Sequence, residues 1–128
     1  MSEESSLYDR IGKEEGIRRL VDSFYHRVLA DPELKPYFEH VPMDKLLAMQ
    51  REFFAMATGG PIVYSGRPIR QVHRGFAISH REFQRFVERL IETLDAEFSS
   101  LTRQDVLDLI AKINLYAAEI TNDTNVDG

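Results

Sequence analysis

Three residues carry polar groups able to bind a small ligand and stand where apolar side chains are expected. Tyr25 lies on a stripe with Val21, Val28 and Leu29. Gln50 lies four residues after Leu46, three before Phe53 and four before Phe54. That spacing puts all of them on one face of a helix. His73 follows Ile69 and Val72 and directly precedes Arg74-Gly75. A phenol and an amide in a core each need a partner. One solution is that they bond to each other or to backbone, as satisfied core groups. The other is that they face a cavity and offer donors to a small polar ligand. A lone His is commonly solvated or satisfied, but haem iron needs only one protein ligand to be held, so His73 is also a candidate axial ligand.

The other histidines fit solvent better. His26 points off the apolar stripe, His40 lies in the acidic EHVPMD stretch, and His80 sits in the first turn of a helix beside Arg81 and Glu82. No pair has the spacing of a HExxH site. The chain has no Cys, which excludes disulfides, thiolate-bound zinc, iron–sulfur clusters and a Cys nucleophile. There is no GxSxG or GxxxxGK[ST] run. IGKEEG has two glycines and no strand before it, so it is no nucleotide loop. The net charge of −5, with basic residues scattered apart from Arg67, Arg70 and Arg74, makes a poor nucleic-acid binder. The polar, acidic start MSEESSLYD reads as neither signal nor transit peptide, and no apolar run approaches spanning length. The expectation is a soluble, cytoplasmic, monomeric protein with no membrane association.

The elements that must position these residues are helical. With 128 residues the chain is the size of one domain, with residues 1–5 and 121–128 expected to fray. Leu7, Ile11, Ile17 and Leu20 start a pattern that Val21, Phe24, Tyr25, Val28 and Leu29 continue to about residue 30. Asp31-Pro32 reads as an N-cap followed by Pro at the first helical position, opening a short turn that ends near Tyr37-Phe38. A helix over 43–57 ends at Gly59-Gly60-Pro61; a loop over 58–68 and a short turn over 69–74 follow. Ser79 with Glu82 makes a capping box for a helix whose stripe is Phe83, Phe86, Val87, Leu90, Ile91 and Leu94. Thr102 with Asp105 opens the last helix, with Val106, Leu107, Ile110, Ile113, Tyr116 and Ile120 expected inward. No segment alternates convincingly as a strand. The fold class is all-α.

The ordered set SLYDRIG, VDSFYHRVLADPELKPYF, MQREFFAMATGGP, VYSGRPIRQVHRG and ISHREF resembles the truncated haemoglobins, group I (N type), over most of the chain. Lys13 departs from the second glycine of an early Gly-Gly that many members carry. The absence of Trp favours group I over groups II and III, which usually carry one in the helix that here contains Phe86 and Val87.

The resemblance implies a two-over-two helical sandwich around haem b (iron protoporphyrin IX). It implies His73 as the proximal iron ligand, Tyr25 and Gln50 as distal donors to a bound gas, and Phe38 as the aromatic wedged against haem. Leu46 falls where full-length globins place a distal histidine, and Phe54 matches a residue proposed to gate a gas tunnel. Leu47, Met49, Phe53, Phe83 and Phe86 complete the expected haem contacts on the described helical stripes. Ile69, Arg70, Val72, Ile78 and Tyr64 complete them on the stretch around His73, with Tyr64 and Arg70 near the propionates. Dioxygen, nitric oxide and carbon monoxide are the implied ligands. The implied chemistry is conversion of nitric oxide to nitrate with a separate reductase. The alternatives are reversible oxygen binding for storage, transport or sensing, and peroxidase-like turnover.

Overall fold

The computed structural model of the chain describes residues 6–60 and 79–115. Its helices are α1 (Leu7–Ile11), α2 (Lys13–Leu29), a 3-10 turn (Lys35–Phe38), α3 (Met43–Ala57), α4 (His80–Glu97) and α5 (Arg103–Asn114). There is no strand among the described residues. α2 packs against both α3 and α4, and α5 packs against both as well. Two helices therefore lie over two. His73 and its neighbours, Tyr116, Ile120, and the ends expected to fray lie outside the described residues.

Three helix starts are fixed locally. Ser6 with Asp9, Ser79 with Glu82, and Thr102 with Asp105 each form a reciprocal capping box. Such caps contribute about 1 kcal/mol each. Burying one Leu or Val contributes about 1.5–3 kcal/mol, and Leu20, Val21, Val28, Leu34, Leu90, Leu94 and Leu109 are all fully buried. The caps thus set where helices begin, while packing holds them together.

The pattern that reads as one helix from Leu7 to about residue 30 is broken. Gly12 adopts φ 113°, a left-handed cap that ends α1, and glycine is the residue that takes such a φ without steric cost. Lys13 follows at φ 58°, at the position where the resemblance led to expect glycine. α1 is then tied across the fold. The Tyr8 N–H donates to the Thr58 carbonyl at 2.8 Å. The Tyr8 ring lies so close to Gly60 that a β-carbon there would fall 2.7 Å from it. Arg10 Nε donates to Asp105 at 3.3 Å.

The last helix buries Ile113 and packs Val106 and Ile110 against the core as expected. Leu107 is the exception: it is 51% exposed, and Leu109 is buried instead. Asp105, Leu109 and Ile113 form the buried line, and a residue two positions from 105 or 109 points to the far side of a helix. Asp105 is held on that line by Arg10 and by the cap it makes with Thr102.

Asp31 does not cap the 3-10 turn as expected, since that turn starts at Lys35 with Leu34 before it and no side-chain cap; its carboxylate instead accepts from the Glu33 N–H at 2.9 Å just after α2. It also does something its local sequence does not announce. Its side chain is fully buried and accepts from Arg85 Nε at 3.1 Å and a second Arg85 nitrogen at 3.0 Å. Arg89 stands 3.8 Å away. Burial opposes ionisation of Asp31, but the Arg85 bond, the Glu33 N–H and the charges of Arg85 and Arg89 outweigh it, so the carboxyl titrates below its ordinary value. The Arg10 bond likewise holds Asp105 low against its burial. A carboxyl depressed in the folded state stabilises the fold above its unfolded pKa, near 4, and loses that contribution as pH falls through the folded value. Stability should therefore fall steeply below about pH 4. Asp31→Asn should cost about 2 kcal/mol at pH 7 and flatten the acid limb. Urea melts of both proteins from pH 7 to 3 check this, and parallel acid limbs would remove Asp31 from the account.

Candidate functional site

Tyr25 sits in the penultimate turn of α2 and is buried, with 6% of its surface exposed. α2 places it there because Val21 and Val28, one turn either side, face the same core. No hydrogen bond to its hydroxyl is recorded among the described residues, and burial alone pushes the phenol well above its usual pKa. It stays protonated at neutral pH and is available as a donor. The reading that Tyr25 is satisfied by a bond to Gln50 finds no such bond among the described hydrogen bonds.

Aromatic rings surround it. The Tyr25 ring meets Phe24 edge-on at 4.9 Å and Phe38 at 5.8 Å. Phe38 meets Phe86 of α4 at 6.0 Å. Phe24 meets Phe86 at 6.3 Å and Phe54 of α3 at 6.0 Å, and Phe54 meets Phe53 at 5.6 Å. Edge-to-face rings at these separations attract beyond simple burial. The cluster joins α2, the 3-10 turn, α3 and α4, and so gathers Tyr25, Phe38, Phe53, Phe54 and Phe86 into one neighbourhood. Phe83 is buried one turn before Val87 on α4.

α3 changes character along its length. Phe53, Phe54, Ala55 and Ala57 are buried. Leu46, Leu47, Met49 and Gln50 in its first half are only half-buried, although Leu46 and Leu47 pack against the core. Gln50 is thus on the inward stripe in its half-buried part. Its amide has no hydrogen bond recorded among the described residues. The half-buried apolar side chains of α3 and the aromatic wall around Tyr25 have the chemistry that would suit a flat apolar cofactor.

His26, His40 and His80 are exposed, as expected of solvated residues. Among the described residues no group of three or more His, Cys, Asp or Glu is placed to hold a metal ion. No helix there is long and apolar enough to cross a membrane. The expected axial ligand His73, and Tyr64, Ile69, Arg70, Val72 and Ile78, lie outside the described residues. Sequence reasoning missed Tyr37, whose hydroxyl donates to Glu82 of α4. Its only sequence signal is a half-buried aromatic next to Phe38.

The profile of the family described as "Bacterial-like globin" matches residues 6–119. Group 1 truncated hemoglobin GlbN of Mycolicibacterium paratuberculosis is 39% identical over 119 residues, 93% of this chain and 86% of that protein. Group 1 truncated hemoglobin GlbN of Synechocystis is 36% identical over 94 residues, 70% of this chain and 76% of that protein. The crystal structure of truncated hemoglobin from Tetrahymena pyriformis in its Fe(III) form superposes with a TM-score of 0.84 at 26% identity, covering 91% of this chain and 98% of that one. The helical two-over-two packing agrees with these matches, and the chain belongs to the bacterial-like globins and, among them, to the group 1 truncated haemoglobins.

Proposed function

We propose that the chain binds dioxygen in a haem pocket beside Tyr25 and converts nitric oxide to nitrate with electrons from a separate reductase. Membership of the globin family supports haem-based binding of diatomic gases. Haem b, when bound, would supply the redox-active iron at which gas is held and oxidation takes place. His73 would hold that iron through one imidazole nitrogen, with its other N–H given to an acceptor. Phe38, Leu46, Leu47 and Phe86 would cover the faces and edges of the macrocycle. Tyr64 and Arg70 would meet its propionates, a partly exposed pairing that orients more than it holds.

The observation that carries the reading is Tyr25, a side chain buried in an aromatic wall whose hydroxyl has no hydrogen bond among the described residues. That O–H is left to donate to a ligand. It would donate to a gas that takes on partial negative charge, and Gln50 would offer a second N–H from the half-buried part of α3. Phe54, against Phe24, would set how a second gas reaches the pocket. The overall reaction combines one nitric oxide, one dioxygen and one electron into one nitrate. Each turnover therefore consumes an electron from outside, and the two donors serve to hold dioxygen until nitric oxide arrives.

The test is titration of the purified chain with haemin, reduction, equilibration with dioxygen and rapid mixing with nitric oxide. The expected result is a saturable Soret band and nitrate formed in step with the nitric oxide consumed. A Soret band with no nitrate would overturn the dioxygenase reading in favour of reversible oxygen binding in a cytoplasmic monomer. The absence of a saturable Soret band would overturn haem binding itself.

A further inference from the structure

We propose that Tyr37 and Glu82 form a latch that holds the corner carrying Phe38 beside Tyr25 and so sets how firmly the pocket retains haem. The inference rests on the reading of Phe38 and Tyr25 as pocket residues. Tyr37 is the third residue of the 3-10 turn Lys35–Phe38, and its hydroxyl donates to Glu82 Oε1, 45 residues later. The same oxygen accepts the Ser79 N–H at 3.2 Å and the Ser79 hydroxyl at 3.2 Å. One carboxylate therefore caps α4 and fastens the corner. The Tyr37 bond, foremost, and Ser79 keep Glu82 ionised below its ordinary pKa against its burial. A hydroxyl donating to a carboxylate is among the stronger kinds of hydrogen bond.

The corner needs such a fastening. The 3-10 turn buries none of its residues and has no side-chain cap. Phe38, next to Tyr37, rests its ring edge-on against Phe86 at 6.0 Å. Phe86 lies one helical turn beyond Glu82, so the two share a face of α4. Adjacent residues of the turn thus dock on adjacent turns of one helix, a polar contact at Glu82 and an apolar one at Phe86. The ring contacts of Phe38 with Tyr25 and Phe86 hold the turn through one side chain. The polar contact at Tyr37 adds a second hold and steadies the angle at which Phe38 meets Tyr25. The corner also joins the end of α2 to the start of α3, the helices that carry Tyr25 and Gln50. Tyr37 is in this sense a positioning residue.

The experiment uses the full-length chain and two variants. Tyr37→Phe removes the donor and keeps the ring. Glu82→Gln keeps an acceptor oxygen and removes the charge. Haemin transfer to excess apomyoglobin and amide hydrogen exchange by segment are measured on all three. Tyr37→Phe should lose haemin about tenfold faster, as expected for one charge-assisted bond. Exchange should quicken at residues 35–41 while the middle of α4 keeps its protection. Glu82→Gln should fall between parent and Tyr37→Phe, a rescue that a general packing defect would not give. Unchanged haemin loss in Tyr37→Phe overturns the proposal, and so does exchange that rises uniformly over all helices. If the parent takes up no haemin, the reading of the pocket fails. Faster exchange confined to 35–41 would then still uphold the latch, and unchanged exchange there would overturn it.

Discussion

Tyr25→Phe should speed dioxygen dissociation from the haem-loaded chain by more than tenfold while leaving the haem-free chain about as stable as the parent. The two halves have one cause. The hydroxyl is buried among Phe24, Phe38 and the apolar face of α2, and no protein partner for it is recorded among the described residues. Phenylalanine keeps the ring and its contacts and takes no hydrogen bond away from the haem-free chain. With a ligand of partial negative charge in the pocket the same hydroxyl makes a bond of about 1.5–3 kcal/mol, equivalent to a factor of more than ten in a rate that must break it. A purely structural tyrosine gives the opposite pattern: its loss lowers stability and leaves the off-rate alone. Laser photolysis for the rate and urea melts of the haem-free chain for stability separate the two. An unchanged off-rate would remove Tyr25 from the ligand's surroundings.

What was legible in the sequence was what is decided within one turn of chain. The capping boxes at Ser79–Glu82 and Thr102–Asp105 follow from spacing, and the helix 43–57 ends where expected. Tyr25 and Gln50 stood out because a polar residue on an apolar stripe breaks a local rule, and such breaks concentrate at functional sites. The structure refines the second: Gln50 is half-buried, on the part of α3 with Leu46 and Leu47, and full burial begins at Phe53 and Phe54. What was not legible depends on partners far along the chain. Glu82 signals a cap, but nothing near it signals Tyr37, 45 residues away. Asp31 signals a cap, but the Arg85 that meets it in the interior is 54 residues on. Leu107 and Leu109 are equally apolar, and it is Leu109 that shares the inward line with Asp105, which Arg10 meets from 95 residues earlier. His73 stands out by motif order alone, and it lies outside the described residues.

Gly16→Ala should destabilise the chain by about 3 kcal/mol or more, although alanine in an ordinary helix position would stabilise it by about 1 kcal/mol. Gly16 is buried in the first turn of α2. A β-carbon there would lie 1.9 Å from the Ile11 carbonyl oxygen and 2.6 Å from its carbon, far inside any tolerated contact. The clash is with backbone, so no rotamer change relieves it. Either α1 must swing away or α2 must unwind at its start. If α1 moves, it pulls on the Tyr8–Thr58 bond and the Arg10–Asp105 pair, which tie it to the end of α3 and to α5. If α2 unwinds, it loosens the helix that carries Tyr25. For a domain of this size the loss should lower Tm by roughly 12 °C. Calorimetry checks the sign as well as the size: a Gly16→Ala chain as stable as the parent would mean that the two helices do not meet as closely as the Ile11 carbonyl requires. The two glycines of IGKEEG therefore have a steric purpose, one turning the chain at Gly12 and the other letting α2 pass beneath the end of α1, and the second of them is what allows the helix bearing Tyr25 to begin where it does.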